Sequence, residues 1–238
     1  MHKKAFVVID IQNDITKHYR DIISKLNAAI DWAADQRMDV VYIKHNNLSP
    51  GTRTFKPDTN GAEFVPELKI VSDNVFIKTM ANALTCEGFS DYIRVNGIDE
   101  FYITGADATA CVKSTCFNMT KAGYTVHVIS DCVTSYDLKK LPEMLTYYAD
   151  KGCEVRTLVE YGVLEEYQGQ GYATEAVRAA VDLALQQPGV TLVEAETEPD
   201  NRASPRVLEK CGFLPSGTVG KEGPRYFKTA CEHKSMRK

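Results

Sequence analysis

The sequence of 238 residues predicts an α/β protein with a doubly wound, mostly parallel sheet and a smaller α/β unit behind it. Two observations support this fold class. Short β-branched runs alternate with helical patterns, and the runs are apolar on both faces, as buried parallel strands require. These runs are "KAFVVID", "DVVYIKH", "EFYITGA", "YTVHVIS" and "EVRTLVEY". Their alternation with helices favours right-handed crossover connections within one sheet.

The segment between the first two runs predicts a helix, because its apolar residues recur at a spacing of three and four. They are Tyr19, Ile22, Ile23, Leu26, Ala29, Ile30 and Ala33. Residues 45–68 are polar and rich in turn formers, which indicates a long loop inside a compact domain. Loops of that kind are often functional.

The composition excludes several classes of protein. The chain is 44% hydrophobic and 25% charged, so a buried core is expected, and its net charge of −4 offers nucleic acid or an anionic membrane little to bind. Its seven cysteines form no CxxC pair, which indicates a reducing compartment. The start, "MHKKAFVVID", is too short for a signal peptide or a membrane span. We therefore expect a cytoplasmic protein.

A carboxylate, an ammonium and a thiol are predicted at the carboxyl ends of strands, where reactive groups lie in doubly wound sheets. Asp10 ends the first run, Lys78 ends "NVFIK", and Cys111 follows "FYITGA" and opens the helix "VKSTCFNMTKAG". A helix N-terminus and an ammonium both favour a thiolate, and a carboxylate can accept the thiol proton. Together the three groups form an activated nucleophile, and the first amides of the helix would form an oxyanion hole.

Each of these residues also has a structural interpretation. Asp10 can cap a loop, Lys78 can be a solvated lysine, and Cys111 can be a small core residue, which is the commonest role of a free cysteine. Taken singly, the structural interpretations are the more frequent ones. Cys116, further along the same helix, is predicted to lie in the core.

Four segments resemble an isochorismatase-like cysteine hydrolase over roughly residues 3–158. They are "AFVVIDIQND", the "IK" that contains Lys78, "GIDEFYITGADATACVKSTCFNMTKAGYTVHVISD" and "YYADKGCEV". The resemblance implies a Rossmann-like three-layer fold and a catalytic triad of Cys111, Asp10 and Lys78. It also implies a cis peptide bond between Ala106 and Asp107, which would direct backbone amides at the oxyanion.

The same resemblance indicates which type of bond is cleaved and whether a metal is bound. True isochorismatases use no cysteine nucleophile, so Cys111 implies hydrolysis of the carbon–nitrogen bond of an amide. Nicotinamidases of the family bind a metal through an Asp-x-His pair, but "YIKHNN" has no aspartate two residues before His45, and the next histidine is His127. The sequence therefore predicts no metal. Two interpretations of His45 stay open, a residue lining the substrate pocket and a satisfied loop histidine, whereas His127 is predicted to be structural.

A second unit is predicted at residues 159–238, and it contains the stretch "EEYQGQGYATEA". Gly169 and Gly171 allow the backbone to approach an anion, and the helix "ATEAVRAAVDLALQQ" that follows would present free amides to it. A plain strand-to-helix turn explains the glycine pair equally well.

Residues 161–213 resemble the C-terminal half of a GNAT-type N-acetyltransferase. The residues that match its motifs are Gln168, Gly171, Ala173, Asn201, Ser204, Gly212 and Phe213. The resemblance implies an acetyl-CoA site in which Asn201 contacts the pantetheine arm. The backbone that would hold the pyrophosphate follows Gln168 and comprises Gly169, Gln170, Gly171, Tyr172 and Ala173. However, the upstream half of the domain is missing, and Leu208 replaces the tyrosine that often acts as general acid.

These observations predict a metal-independent, cofactor-free cysteine hydrolase of small amide or carbamoyl-type substrates, with an appended partial acetyltransferase. One alternative is an acyl-CoA-binding protein or N-acetyltransferase that uses the hydrolase fold as a scaffold. Another is a catalytically silent interaction module. The tail itself is compatible with a CoA site, a structural remnant, a dimerisation element or a regulatory cap.

The tail is predicted to need support from another surface, since fewer than about 80 residues with an unfinished sheet form a marginal core. Its candidate core residues are Val177, Ala180, Val181, Leu183, Ala184, Leu185, Val207 and Leu208. We expect it to pack on the hydrolase or on a second copy of itself, in a homodimer.

Overall fold

The computed structural model describes residues 3–16, 20–157, 168–187, 190–220 and 223–230. It divides into two compact units, Met1–Val155 and Arg156–Lys238. The boundary predicted between residues 158 and 159 lies outside the described residues. Among the helices that the structure describes, none combines the length and the apolar character needed to cross a membrane.

The first unit is built on a six-stranded sheet in the order β3-β2-β1-β4-β5-β6. The strands are β1 (Lys3–Ile9), β2 (Asp39–His45), β3 (Val75–Lys78), β4 (Ile98–Gly105), β5 (Thr125–Val133) and β6 (Glu154–Arg156). Strand β1 pairs in parallel with β2 on one side and with β4 on the other. The chain therefore reverses its direction of winding beside β1, and ligands of open α/β sheets bind at such a switch point.

Helices connect these strands, which confirms the predicted α/β class. They are α1 (Asn13–Thr16), α2 (Ile23–Asp35), α3 (Glu87–Asn96), α4 (Cys111–Lys121) and α5 (Leu141–Asp150). Helix α2 buries the periodic apolar residues that predicted it, namely Ile23, Leu26, Ala29, Ile30 and Ala33. Tyr19 lies outside the described residues, as does the run "EVRTLVEY" from residue 158 onwards.

The end of β4 lies unusually close to β1. Gly105 has a φ of 106°, and a Cβ at this position would overlap the backbone of Ile9. The amide of Ala106 then donates to the carbonyl of Ile9 (2.9 Å), and the amide of Asp10 donates to Ile43 (3.0 Å). Glycine is required here because only it combines this φ with this approach. The contacts hold the carboxyl ends of β1, β2 and β4 together.

The second unit contains a three-stranded antiparallel sheet in the order β7-β9-β8. Its elements are α6 (Tyr172–Gln186), β7 (Leu192–Glu196), α7 (Ala203–Lys210), β8 (Leu214–Val219) and β9 (Pro224–Thr229). Helix α6 buries Val177, Val181 and Ala184. The prediction that Leu183 belongs to the core is wrong, because this side chain is 61% exposed on the opposite face of the helix.

Candidate active site

The sheet brings the three predicted residues together with a fourth, His45. Asp10 directly follows β1, His45 ends β2 and Lys78 ends β3. His45 and Lys78 lie opposite each other in the pairing of β2 with β3. Cys111 is the first residue of α4, after the turn that leaves β4. All four therefore lie at the carboxyl edge of the sheet. The sequence predicted this position for Asp10, Lys78 and Cys111.

The ammonium of Lys78 joins the other three side chains. Its Nζ lies 2.8 Å from Oδ2 of Asp10, 2.9 Å from Nδ1 of His45 and 3.2 Å from Sγ of Cys111. The side chain of Lys78 is 0% exposed, so the interpretation as a solvated lysine is wrong. An ammonium has three hydrogens to donate, and each of them has an acceptor here.

Asp10 is a buried carboxylate whose basicity exceeds that of an ordinary aspartate. Burial raises its pKa, and the contacts with Lys78 and Cys111 only partly offset that effect. Its backbone is left-handed, with a φ of 54°, a conformation that aspartate tolerates better than most residues. Its Oδ1 atom is buried and accepts no hydrogen bond from the residues that the structure describes. This oxygen is available to accept a proton.

The thiol of Cys111 is harder to ionise than that of a free cysteine, because its pKa is raised, whereas a helix N-terminus and an ammonium by themselves favour a thiolate. Burial, and after it the negative charge of Asp10, raise its pKa to about 12. Lys78 lowers the pKa, as predicted, but the two opposing effects are larger. A buried thiolate is stable only when its neighbours are charged appropriately. Lys78 can therefore stabilise the thiolate once the thiol proton has left.

His45 is a neutral member of the site. Burial and the nearby Lys78 ammonium lower its pKa to about 4. Buried Gln12 holds its backbone from both sides, since Oε1 accepts from the His45 amide (2.7 Å) and Nε2 donates to the His45 carbonyl (3.0 Å). The structure thus places His45 at the end of a strand, in contact with Lys78. The sequence signal for this contact is that both residues end neighbouring strands.

The donor set of the site includes types that bind transition metals. A carboxylate oxygen of Asp10, a ring nitrogen of His45 and Sγ of Cys111 all lie within 4.8 Å of one another. However, the ammonium of Lys78 is within 3.2 Å of each of these side chains and already provides the positive charge between them. A metal ion would have to displace this buried cation, so the residues fit a lysine-centred site better than a metal centre.

The turn before Cys111 contains a cis peptide bond between Ala106 and Asp107, at the position that the resemblance implies. The carboxylate of Asp107 accepts hydrogen bonds from Thr109, Ser135 and the Tyr136 amide. Burial opposes its ionisation, but these bonds outweigh burial and lower its pKa. This anionic side chain organises the turn.

The amides around the turn differ in their availability. The Ala106 amide is engaged by Ile9, so it does not serve the predicted oxyanion hole, and the Ala110 and Val112 amides donate to the Asp107 carbonyl at 3.0 and 3.1 Å. No backbone carbonyl of the described residues accepts from the amide of Cys111. That amide, at the first position of α4, is the better candidate for an oxyanion donor.

The predicted anion loop of the second unit leads directly into α6. Gly169 and Gly171 both have left-handed backbone, with φ of 77° and 91°, and Gly171 precedes the first helical residue. The residues from Gln168 through Gln170 are exposed and Ala173 is half-buried, while Tyr172 is 51% exposed. An open groove of about 670 Å³ starts at Gly171 and runs along α6. The start of the motif, residues 161–167, lies outside the described part of the chain.

Asn201 has a structural task in the second unit. Its Oδ1 accepts hydrogen bonds from the amides of Ala203 (3.1 Å) and Ser204 (3.0 Å) at the start of α7. This is the geometry of a helix cap. Its contact with a pantetheine arm stays a prediction.

Comparisons with known proteins identify the second unit as GNAT-like. Residues 144–214 match the family model of the acetyltransferase (GNAT) domain. The probable N-acetyltransferase YjcK of Bacillus subtilis (strain 168) is 32% identical over 88 residues, which are 37% of this chain and 49% of that protein. An aminoglycoside N(6')-acetyltransferase type 1 of Klebsiella pneumoniae is 41% identical over 51 residues, 21% of this chain and 25% of that protein. The chain thus spans half or less of these relatives.

The first unit matches a different family over most of its length. Residues 4–160 match the model of the isochorismatase domain. The uncharacterized isochorismatase family protein YrdC of Bacillus subtilis (strain 168) is 23% identical over 153 residues, 61% of this chain and 80% of that protein.

Solved structures show the same fold. Pyrazinamidase of Pyrococcus horikoshii in complex with zinc has a TM-score of 0.59 at 22% identity, over 66% of this chain and 99% of that one. N-carbamoylsarcosine amidase from Thermoplasma acidophilum has a TM-score of 0.57 at 23% identity, over 68% of this chain and 99% of that one. With a family model that covers more than half of its residues, the chain belongs to the isochorismatase family.

Proposed function

We propose that the chain is a metal-independent cysteine hydrolase that cleaves the carbon–nitrogen bond of a small amide or carbamoyl-type substrate. The observation that carries this proposal is the contact of one buried ammonium, Lys78, with both a carboxylate and a thiol. Two of the structural neighbours are named pyrazinamidase and N-carbamoylsarcosine amidase, which supports amide substrates for this fold.

The first half of the reaction forms a thioester. Asp10 accepts the proton of the Cys111 thiol, and the sulfur attacks the amide carbon, so that a C–S bond forms and the carbonyl oxygen becomes an oxyanion. The oxyanion collapses, the C–N bond breaks, and the nitrogen takes the proton from Asp10. Ammonia or an amine leaves.

The second half restores the enzyme. Asp10 takes a proton from water, the resulting hydroxide attacks the thioester, and the C–S bond breaks to release the acid product. The sulfur is then reprotonated by Asp10. The same carboxylate acts as base and acid in both halves.

The electrostatics of the site suit this proton transfer. When the thiol proton moves to Asp10, the negative charge moves from oxygen to sulfur while the ammonium of Lys78 stays within hydrogen-bond distance of both. The total charge of the buried site does not change. The transfer therefore avoids the large cost of creating an unpaired charge away from water.

The substitution Cys111→Ala should abolish amide hydrolysis, with a loss on the order of 10⁴-fold or more, because it removes the nucleophile of the proposed mechanism. The measurement is ammonia release from a panel of small amides and ureas, with circular dichroism to verify the fold. The matched control is Cys116→Ala on the same helix, whose side chain is buried away from the reaction and whose variant should retain most activity. Normal turnover by the Cys111 variant would refute the mechanism.

We also propose that the GNAT domain binds CoA or acetyl-CoA weakly. Two left-handed glycines precede a helix of 15 residues, and within the part of the chain that the structure describes no atom beyond the chain neighbours lies within 4 Å of a Cβ placed on either glycine. The first turn of a helix has amides without intrahelical partners, which favour a phosphate group. Catalysis of acetyl transfer is not part of this proposal, because the chain spans half or less of the acetyltransferases that it resembles.

Gly171→Glu should eliminate CoA binding, since it places a side chain and a negative charge where the pyrophosphate would lie. Isothermal titration calorimetry with CoA is the measurement. The matched control is Gly217→Glu, which adds the same charge at another open, left-handed glycine of the same unit, with a φ of 74°, and should bind as the unaltered protein does. No heat with millimolar CoA, or equal heats for both variants, would contradict a CoA site.

A further inference from the structure

His45 lies in the site but takes no part in the proposed proton transfers. Its Nδ1 is 2.9 Å from Nζ of Lys78. An ammonium can only donate, so this nitrogen must carry a lone pair that accepts the hydrogen bond. In a neutral imidazole the proton then lies on Nε2. The contact with Lys78 therefore fixes which nitrogen of His45 is a donor.

The orientation of the imidazole is held on several sides. Gln12 bonds both the amide and the carbonyl of His45, and its Nε2 also donates to the Ala62 carbonyl (2.7 Å). The ring of Phe55 meets the imidazole edge-on, with 5.5 Å between the ring centres. Asp14 in turn accepts from the Phe55 amide (2.6 Å). A ring held in this way presents its N–H in one direction.

The Nε2 atom of His45 is the ring nitrogen that does not face Lys78. Among the described residues, the hydrogen bond of the His45 ring is the one from Lys78 to Nδ1, and the residue is half-buried. A ring nitrogen of His45 lies within 4.8 Å of Sγ of Cys111. A substrate carbon that bonds to this sulfur therefore has substituents within reach of the imidazole.

We propose that His45 is a hydrogen-bond donor that selects substrates with an acceptor oxygen beside the scissile amide, such as a second carbonyl or a carboxylate. This inference rests on the proposed cysteine hydrolase function and assigns its substrate class. His45 does not act as a base, because its only lone pair is directed at Lys78. The acceptor oxygen of such a substrate accepts a hydrogen bond from Nε2–H of His45. A plain alkyl amide has no such oxygen, so this half-buried donor stays without a partner and the affinity for the substrate is lower.

The tautomer can be tested without any turnover. Nitrogen-15 NMR of the full chain, labelled at its five histidines, should show at neutral pH a protonated Nε2 and an unprotonated Nδ1 for the signal that disappears in His45→Asn. In Lys78→Met this signal should move to a mixture of tautomers, because the donor to Nδ1 is gone. A protonated Nδ1 or an imidazolium in the unaltered protein overturns the proposal.

The specificity is tested by protection of Cys111 from iodoacetamide, read by mass spectrometry as the ratio of alkylation rates with and without a ligand. Oxamate, whose carboxylate lies beside the amide, should protect, and acetamide should not. His45→Asn keeps an acceptor near Lys78 but loses the outer donor, so its oxamate affinity should fall about tenfold. His45→Gln, which keeps an N–H near the Nε2 position, should recover part of the protection.

If oxamate and acetamide protect Cys111 equally, or if neither protects it, the proposed role of His45 in substrate specificity is wrong. The same follows from equal oxamate affinity in the two His45 variants. These outcomes do not affect the cysteine hydrolase mechanism, which depends on the result for Cys111→Ala. The two failures are therefore distinguishable.

Discussion

Replacing Asp10 with asparagine should abolish hydrolysis and make Cys111 more reactive towards iodoacetamide. Asp10 is the proposed base, and loss of a base lowers turnover by roughly 10²- to 10⁴-fold. Its charge also raises the pKa of Cys111, which burial and Asp10 together hold at about 12. Without this charge, the buried ammonium of Lys78 has the thiolate as its remaining anionic partner, so the pKa of Cys111 should fall.

The measurement for Asp10→Asn is the rate of Cys111 alkylation against pH. Far below the thiol pKa, each unit of decrease in the pKa raises the thiolate fraction about tenfold, so we expect at least about tenfold faster labelling near neutral pH. Asp31→Asn is the matched control, since it removes an exposed carboxylate on α2 and should change neither quantity. Slower labelling of the Asp10 variant, or hydrolysis at the normal rate, would contradict the assigned role.

Replacing Lys78 with methionine should also abolish hydrolysis, but with the opposite effect on the thiol. Lys78 lowers the pKa of both Cys111 and Asp10. Without the ammonium both values should rise, so the thiol is harder to ionise and the carboxyl is protonated over more of the neutral range. Labelling should therefore be slower than in the unaltered protein at every pH below about 12.

The control for the lysine is Lys69→Met, which removes an exposed ammonium that pairs with Asp31 on the surface. It should label and hydrolyse normally. In the double variant of Asp10 and Lys78, the loss of turnover should be no larger than that of the more severe single variant, because groups that act as a unit are not additive. Faster labelling of Lys78→Met, or losses that multiply, would show that the two residues act independently.

The first unit was predictable to a large extent from local patterns. Parallel strands are buried on both faces, and therefore appear as apolar runs whose ends are easy to locate. Because the carboxyl ends of such strands meet at one edge, the positions of Asp10, Lys78 and Cys111 in the sequence were enough to predict that they lie together. The dependence of the tail on another surface, and the homodimer, stay predictions.

The sequence by itself determined the order of strands and helices, the family, and the identity of the three groups at the edge of the sheet. Only the tertiary structure decided the protonation of those groups. The pKa of Cys111 is raised because burial and the charge of Asp10 outweigh the effect of Lys78, and burial depends on residues distant in the chain. The same holds for His45, whose acceptor nitrogen is fixed by Lys78, a residue that becomes its neighbour only when β2 and β3 pair. Proximity and desolvation arise from the packing of distant segments, so residue type and spacing do not encode them directly.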